Sequence, residues 1–452
     1  MTECNQSRFS FASHFQREVV GDFQAAAISS DGGALLLRET DRRLNLLSRF
    51  GQCFLDGRDP ALVEHSVEQM VSQRVYGLAL GYEDLNDHEQ LRQDPLMGVL
   101  AGKEQPGTDH LAGKSTLSRM ELGDGTPDRY KKITFWRASV EDLMVDLFLE
   151  AHPTPPEQIV LDIDTTDLAI HGEQEGRFYH GYYDHYCYLP LFVFAGEHVL
   201  CSRMRPSNID PSAGSVKEIE RIVTRIRAAW PEVKIVLRGD SGFCREELMA
   251  WCEAHAVDYV FGMARNSLLE KKVAEGLQQA KRQFEETQQA ARVFVEFEHE
   301  TVSGTWSRRR RVVAKAEHID GKSNPRFIVT SLHGEAWAAQ NLYEELYCAR
   351  GDMENRIKEQ FALFADRVSA ATLRANQLRL YFSVMAYTLM GGLRRLGLKG
   401  TEWAAAQVGT IRLRLLKIGA QIRVTVRKVW VQMTCSFPLQ ELFAQALQQL
   451  RS

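Results

Sequence analysis

Asp162, Asp164, Asp240 and Glu354 are the side chains whose neighbours suggest chemistry. The run Ile159-Val160-Leu161-Asp162-Ile163-Asp164-Thr165-Thr166 is apolar and β-branched and lacks helical spacing, so it reads as a buried strand ending in acids. Asp162 and Asp164, two apart, share one strand face. A second apolar run, Val233-Lys234-Ile235-Val236-Leu237, leads into Arg238-Gly239-Asp240-Ser241-Gly242. A buried strand tolerates a charge only at its tip, where a proton or cation offsets it. Far downstream, Tyr347, Arg350, Glu354 and Lys358 are spaced 3, 4 and 4 apart, within roughly 80° of one helical face. If Asp164, Asp240 and Glu354 converge, each pair of charges about 4 Å apart repels by about 4 kcal/mol at an effective dielectric near 20. Such a cluster needs protons or cations. Hard oxygen ligands with open positions suit Mg²⁺ or Mn²⁺ rather than Zn²⁺. Two such ions can activate an attacking oxygen and stabilise a leaving one in in-line phosphoryl displacement.

These acids must be positioned by elements spread over most of the chain. Residues 1–33 read as a loosely ordered arm, and 34–150 as helical. Asp59-Pro60 has the look of a helix start, and so does Ser115-Thr116-Leu117-Ser118-Arg119-Met120-Glu121, with hydroxyls and a base on its first turn suited to phosphates. After the joint Pro153-Thr154-Pro155-Pro156 the pattern turns to strands, then to strand, helix and strand in alternation, which implies a sheet covered by helices. Ser215 and Glu218 are spaced as a capping box. Residues 264–333 hold a charged helix and three strand-like runs, read as an antiparallel insertion between the second and third acids. A catalytic helix is expected to start near Trp337, and one strand is expected over 422–431.

At 452 residues the chain is too long for one core. Its apolar fraction of 44% and charged fraction of 25% are those of an ordinary soluble protein. No apolar run is long enough to span a membrane, and the first residues lack a signal peptide's basic and apolar regions. The eight cysteines, without a C-x-x-C pair, read as reduced thiols of a cytosolic protein. The net charge of −4 argues weakly against a polyanionic partner, but local patches decide that matter. Two basic clusters stand out: Arg308-Arg309-Arg310-Arg311, and Arg412, Arg414, Lys417, Arg423, Arg427 and Lys428. Gly113-Lys114-Ser115-Thr116 imitates the end of a phosphate-binding loop, but Thr108 stands where the motif requires glycine. His180, His185 and Cys187 lack a fourth ligand at a zinc spacing.

Asp164-Thr165-Thr166, Arg238-Gly239-Asp240-Ser241-Gly242-Phe243 and Tyr347-x-x-Arg350-x-x-x-Glu354 resemble, in order, the three acid motifs of DDE insertion-sequence transposases with a Tyr-Arg-Glu-Lys signature. With the stretch His171–Phe194 and the tail Leu363–Leu396, the pattern looks most like the insertion-sequence family thirteen-eighty, over nearly the whole chain. The resemblance implies an α/β fold: a ribonuclease-H-like catalytic core, a mixed sheet flanked by helices, with a β-rich insertion domain and a helical N-terminal DNA-binding domain. The expected boundaries are 1–150 for DNA binding, 151–263 and 334–400 for the core, 264–333 for the insertion, and 401–452 for a C-terminal segment. It implies cleavage of double-stranded DNA at terminal inverted repeats, then joining to target DNA, with Mg²⁺ (or Mn²⁺) as cofactor. A homodimer would hold the two ends in a bacterial, nucleoid-associated setting. Carried over by position, Asp164, Asp240 and Glu354 are the catalytic metal ligands, with Asp162 the rival for the first. Tyr347 and Arg350 would contact phosphates near the cut. Phe361 stands where the signature has lysine, and Lys358 is the nearest substitute. Trp306, beside Arg308, Arg309, Arg310 and Arg311, would either stack on an unpaired base or pack on its own hairpin. A transposase-derived DNA-binding protein, or a nuclease that does not join strands, are the rival functions.

Overall fold

The computed structural model describes residues 8–123, 125, 128–301, 304–319 and 321–452. The chain forms two compact units. One comprises Met1–Met120, Arg129–Ile133 and Met385–Ser452; the other comprises Glu121–Asp128 and Thr134–Val384. The N-terminal and C-terminal segments, read separately from the sequence, therefore build one unit together.

The second unit is organised on a nine-stranded mixed sheet. Helix α1 (Arg137–Glu150) precedes β1 (Gln158–Thr165), β2 (Leu191–Ala195) and β3 (His198–Arg203), consecutive antiparallel neighbours in the sheet. After α2 (Ser215–Ala229) the chain returns as β4 (Lys234–Gly239), parallel to β1 on its other side. Helix α3 (Glu246–Ala254) then leads to β5 (Asp258–Met263), parallel to β4. Both parallel steps cross over through a helix, as the pairing requires. The helix α2 earns its place by pattern: Ile219, Ile222, Val223 and Ile226 are buried on one face, in one core with Leu161, Ile163, Ile235 and Leu237 of the sheet. The expected capping box does not form. Gly214, at φ +75°, precedes the helix, and Glu218 turns instead to Arg203 and Arg221.

Residues 264–333 do not form a separate β domain. After α4 (Ala274–Thr287), β6 (Ala291–His299), β7 (Arg310–Ile319) and β8 (Arg326–Thr330) continue the same sheet, with β8 paired antiparallel to β5 and β7 to β8. Helix α1, expected in the N-terminal domain, packs instead in this unit: Arg221 of α2 donates to the Glu141 carbonyl, and Tyr381 Oη to the Glu141 carboxylate at 3.0 Å. The catalytic helix is irregular at its start. A wide π turn over Leu342–Tyr347 and a tight turn over Cys348–Arg350 precede α5 (Gly351–Phe361).

In the first unit, residues expected to be a loose arm pair as an exposed hairpin, Phe9–His14 with Arg17–Gly21. Asp59 caps only one short turn; the helix Val67–Leu80 starts later, at a capping box of Ser66 and Gln69. The stretch read as one strand over 422–431 is two, β9 (Ala420–Val424) and β10 (Val429–Met433), folded on each other. Among the described residues no helix is long and apolar enough to cross a membrane. Cys4 lies outside the described residues; the other seven cysteines are free thiols.

Candidate active site

Sheet register brings the first two acids together. Gly239 of β4 lies opposite Ile163 of β1 in a parallel pair, so Asp240 and Asp164 leave adjacent strands at the same end, where strands are about 4.8 Å apart. The third acid is joined to them by an arginine. Arg350 donates through Nη1 to Asp164 Oδ2 at 3.1 Å and through Nη2 to Glu354 Oε1 at 3.0 Å. Asp240 is oriented from below: its Oδ1 accepts the Gly242 N–H at 2.8 Å, capping the turn Ser241–Phe243.

The electrostatics record how crowded this corner is. Burial pushes the Asp164 carboxyl up to about 7; Arg350 and the Thr165 N–H pull it down, while Asp240 and Glu354 push it further up. Burial works against the Arg350 guanidinium, yet Asp164, Tyr347, Glu354 and Asp240 together hold its proton more firmly than usual. The three acids therefore share one field with the Arg350 guanidinium. Among the described residues no three ligating side chains already stand close enough to grip an ion. The donor set fits hard divalent ions nonetheless: carboxylate oxygens only, one of them with a raised appetite for positive charge.

Asp162 and Asp164 keep different company. Asp162 is buried in a bidentate pair with Arg238, at 2.5 Å from Nε and 2.7 Å from Nη2, and the remaining Nη1 donates to the Leu346 carbonyl at 2.5 Å. Both its oxygens are held by one guanidinium, whereas Asp164, which accepts from the Thr165 N–H at 2.8 Å and from Arg350, lies in the field of Asp240 and Glu354.

Tyr347 stands over β5. A Cβ added at Gly262 would come within 2.5 Å of Tyr347 Oη and 2.9 Å of the Ser241 N. Gly262→Ala is therefore expected to displace Tyr347 or the Asp240 turn and to slow cleavage about 100-fold, the scale for roughly 1 Å of misplacement, as read from initial cleavage rates. Lys358 is exposed on α5 one turn beyond Glu354.

The other residues expected to touch DNA are mostly engaged within the protein. Trp306 is half-buried, edge-on to His299, with the Arg310 guanidinium 5.4 Å from its ring centre, so it packs on its own hairpin. Arg310 is buried between Glu246 and Glu253, Arg311 pairs with Glu296, Arg308 with Glu253 and Arg309 with Glu300. The four arginines line a cleft of about 770 Å³ with Cys252–Tyr259, but their charges are answered locally by glutamates. Only Arg308 and Arg309 remain exposed.

One feature beside the acids escaped the sequence reading. Tyr183 has its hydroxyl pushed up to about 12, by burial and then by Asp167, Asp164 and Asp240. His185 Nε2 lies 2.8 Å from Asp167 Oδ2, three residues beyond Asp164. The dense run of tyrosines and histidines over 178–188 was the available signal, and the small sheet of Leu168–Ala169, Phe178–His180 and His185–Tyr188 brings it there.

Two acids at neighbouring strand ends and one on α5 thus gather around Arg350. A family model described as Transposase DDE domain group 1 matches residues 11–452, and the chain belongs to that family of DNA-cutting and DNA-joining enzymes. No curated protein matches the chain. Among solved structures, the piggyBac transposase synaptic complex with hairpin DNA is similar, at 10% identity and a TM-score of 0.40, over 86% of this chain and 80% of that one.

Proposed function

We propose that this transposase binds the terminal inverted repeats of its own insertion sequence, cuts double-stranded DNA at the element ends and joins the 3′ ends to target DNA. The observation that carries the reading is the bridge from Arg350 to Asp164 and Glu354, with Asp240 in the same field. The order β3-β2-β1-β4-β5, three antiparallel strands followed by two parallel ones, favours a ribonuclease-H-like core. Asp164, Asp240 and Glu354 would hold Mg²⁺, with Mn²⁺ able to replace it. The ions, when bound, supply charge to activate an attacking oxygen and to stabilise a leaving one. The chain's own residues hold the carboxylates at strand tips, orient Asp240 through the Gly242 N–H and keep Tyr347 against β5. Tyr347, Arg350 and Lys358 would then meet the scissile backbone, with Arg308 and Arg309 contributing at a distance. Two copies would be needed to hold two ends.

The test is cleavage of duplex oligonucleotides carrying the DNA that flanks the gene. Cutting is expected with Mg²⁺ or Mn²⁺ and none in chelator. Persistent cutting in chelator would refute the metal reading, and cutting without joined products would favour a nuclease.

A further inference from the structure

The second basic cluster divides in the structure. Arg412 is spent within the fold, donating to the carbonyls of Ala79 at 2.9 Å and Leu78 at 3.3 Å, and Lys417 pairs with Asp31 at 2.7 Å. The remainder lies on the β9–β10 hairpin. From Glu402 to Glu441 the chain has no acidic residue between, and six basic ones. Among the described residues no carboxylate pairs with Arg423, Arg427 or Lys428, all three exposed. This is the reverse of the Arg308–Arg311 run, where a glutamate answers each base.

The hairpin is anchored chiefly at its base. Ala420 and Ile422 are buried beside Leu96, and Ala420 and Gln421 pair with Ser29 and Ile28. Beyond that register, among the described residues, no third strand follows, and every residue from Arg423 to Trp430 is exposed, Val426 at the turn completely. An unsupported two-stranded ribbon is marginal in water. Pairing of Gln421 with Gln432 and Arg423 with Trp430 sets four polar or aromatic side chains on one face. Arg423 and Lys428 lie 5.7 and 5.3 Å from the Trp430 ring centre, which holds both cations over the ribbon.

We propose that β9–β10 is a DNA-contacting ribbon that enters the major groove of duplex DNA, with Arg423, Arg427 and Lys428 on phosphates and Gln421 and Gln432 at base edges. This rests on the transposase reading for the identity of the polyanion. A major groove about 12 Å wide admits a two-stranded ribbon, and glutamine pairs with adenine there. Because cations already cover Trp430, duplex phosphates suit this face better than stacking of an unpaired base.

The test uses the full chain and fluorescence anisotropy with a random-sequence duplex over a salt series. The variant Arg423→Gln/Arg427→Gln/Lys428→Gln is expected to bind with a log K against log salt slope shallower by about 2.7, at about 0.9 per phosphate contact. The charge-keeping Arg423→Lys/Arg427→Lys/Lys428→Arg should keep the native slope, which separates charge from misfolding. Gln421→Ala/Gln432→Ala should cut the preference for the gene's flanking duplex over random duplex about tenfold. If the native chain binds duplex and the glutamine variant keeps its slope, the ribbon assignment falls alone. If the native chain binds no duplex, the transposase reading falls with it. A loss confined to single-stranded DNA or to phosphatidylserine vesicles would also overturn the proposal.

Discussion

Replacing Asp240 by Asn is expected to reduce end cleavage by about 10³ or more, the scale for removing a preorganised charge that stabilises a transition state, while DNA binding stays near native. Asp164→Asn should act alike, because both acids leave adjacent parallel strands at one end and Arg350 links the first to Glu354. Stability should move the other way. Burial and two neighbouring acids hold the Asp164 carboxyl up at about 7, so folding free energy is lost as pH rises from the ordinary carboxyl value of 3.8 through about 7, and the loss is complete above it. A neutral amide removes that cost, and Asp164→Asn is expected to unfold in urea at a concentration no lower than the native chain at pH 8 without divalent ions. Loss of DNA binding in step with cleavage, or a marked fall in stability, would make these acids structural.

Arg238→Ala is expected to cost about 3–5 kcal/mol of folding stability, the scale for leaving one charge of a buried pair unanswered. Arg238 is 6% exposed and satisfies both Asp162 oxygens and the Leu346 carbonyl at once, so it ties β1, β4 and the π turn before Tyr347 into one body. Its removal strands Asp162, also buried. Removing both charges, as Asp162→Leu/Arg238→Met, should recover most of the urea midpoint, since apolar replacements of buried pairs are often neutral. Cleavage need not return with it, because the Leu346 carbonyl loses its donor. An Arg238→Ala chain as stable as the native one would show that this pair carries no structural role.

Much of this was legible because acids on strands are expensive. The runs read at 159–164 and 233–237 appear as β1 and β4 within two residues, with Asp164 and Asp240 at the same end of the pair. Period 2 put Asp162 and Asp164 on one face but could not separate them; the separation comes from Arg238, whose reach to β1 depends on the parallel register. The helical spacing of Tyr347, Arg350 and Glu354 survived only approximately, because a π turn and a tight turn precede α5, and such defects have no residue code. Four arginines in a row read as a patch, yet their meaning depended on Glu246, Glu253, Glu296 and Glu300, which strand pairing and helix packing bring up from elsewhere. Val426-Arg427 hid a turn because neither residue is a turn former, and the run looked like one strand.

The pairing of β5 with β8 bears on how this chain can diversify. The stretch 264–333, after β5, cannot be exchanged like a cartridge. Excising it would bare the backbone of β5, the strand on which Tyr347 leans, as a sticky border that invites association between molecules. Variation in length is better placed in the described connection 304–309 that leads into β7, where residues can be gained or lost without disturbing a single ladder rung.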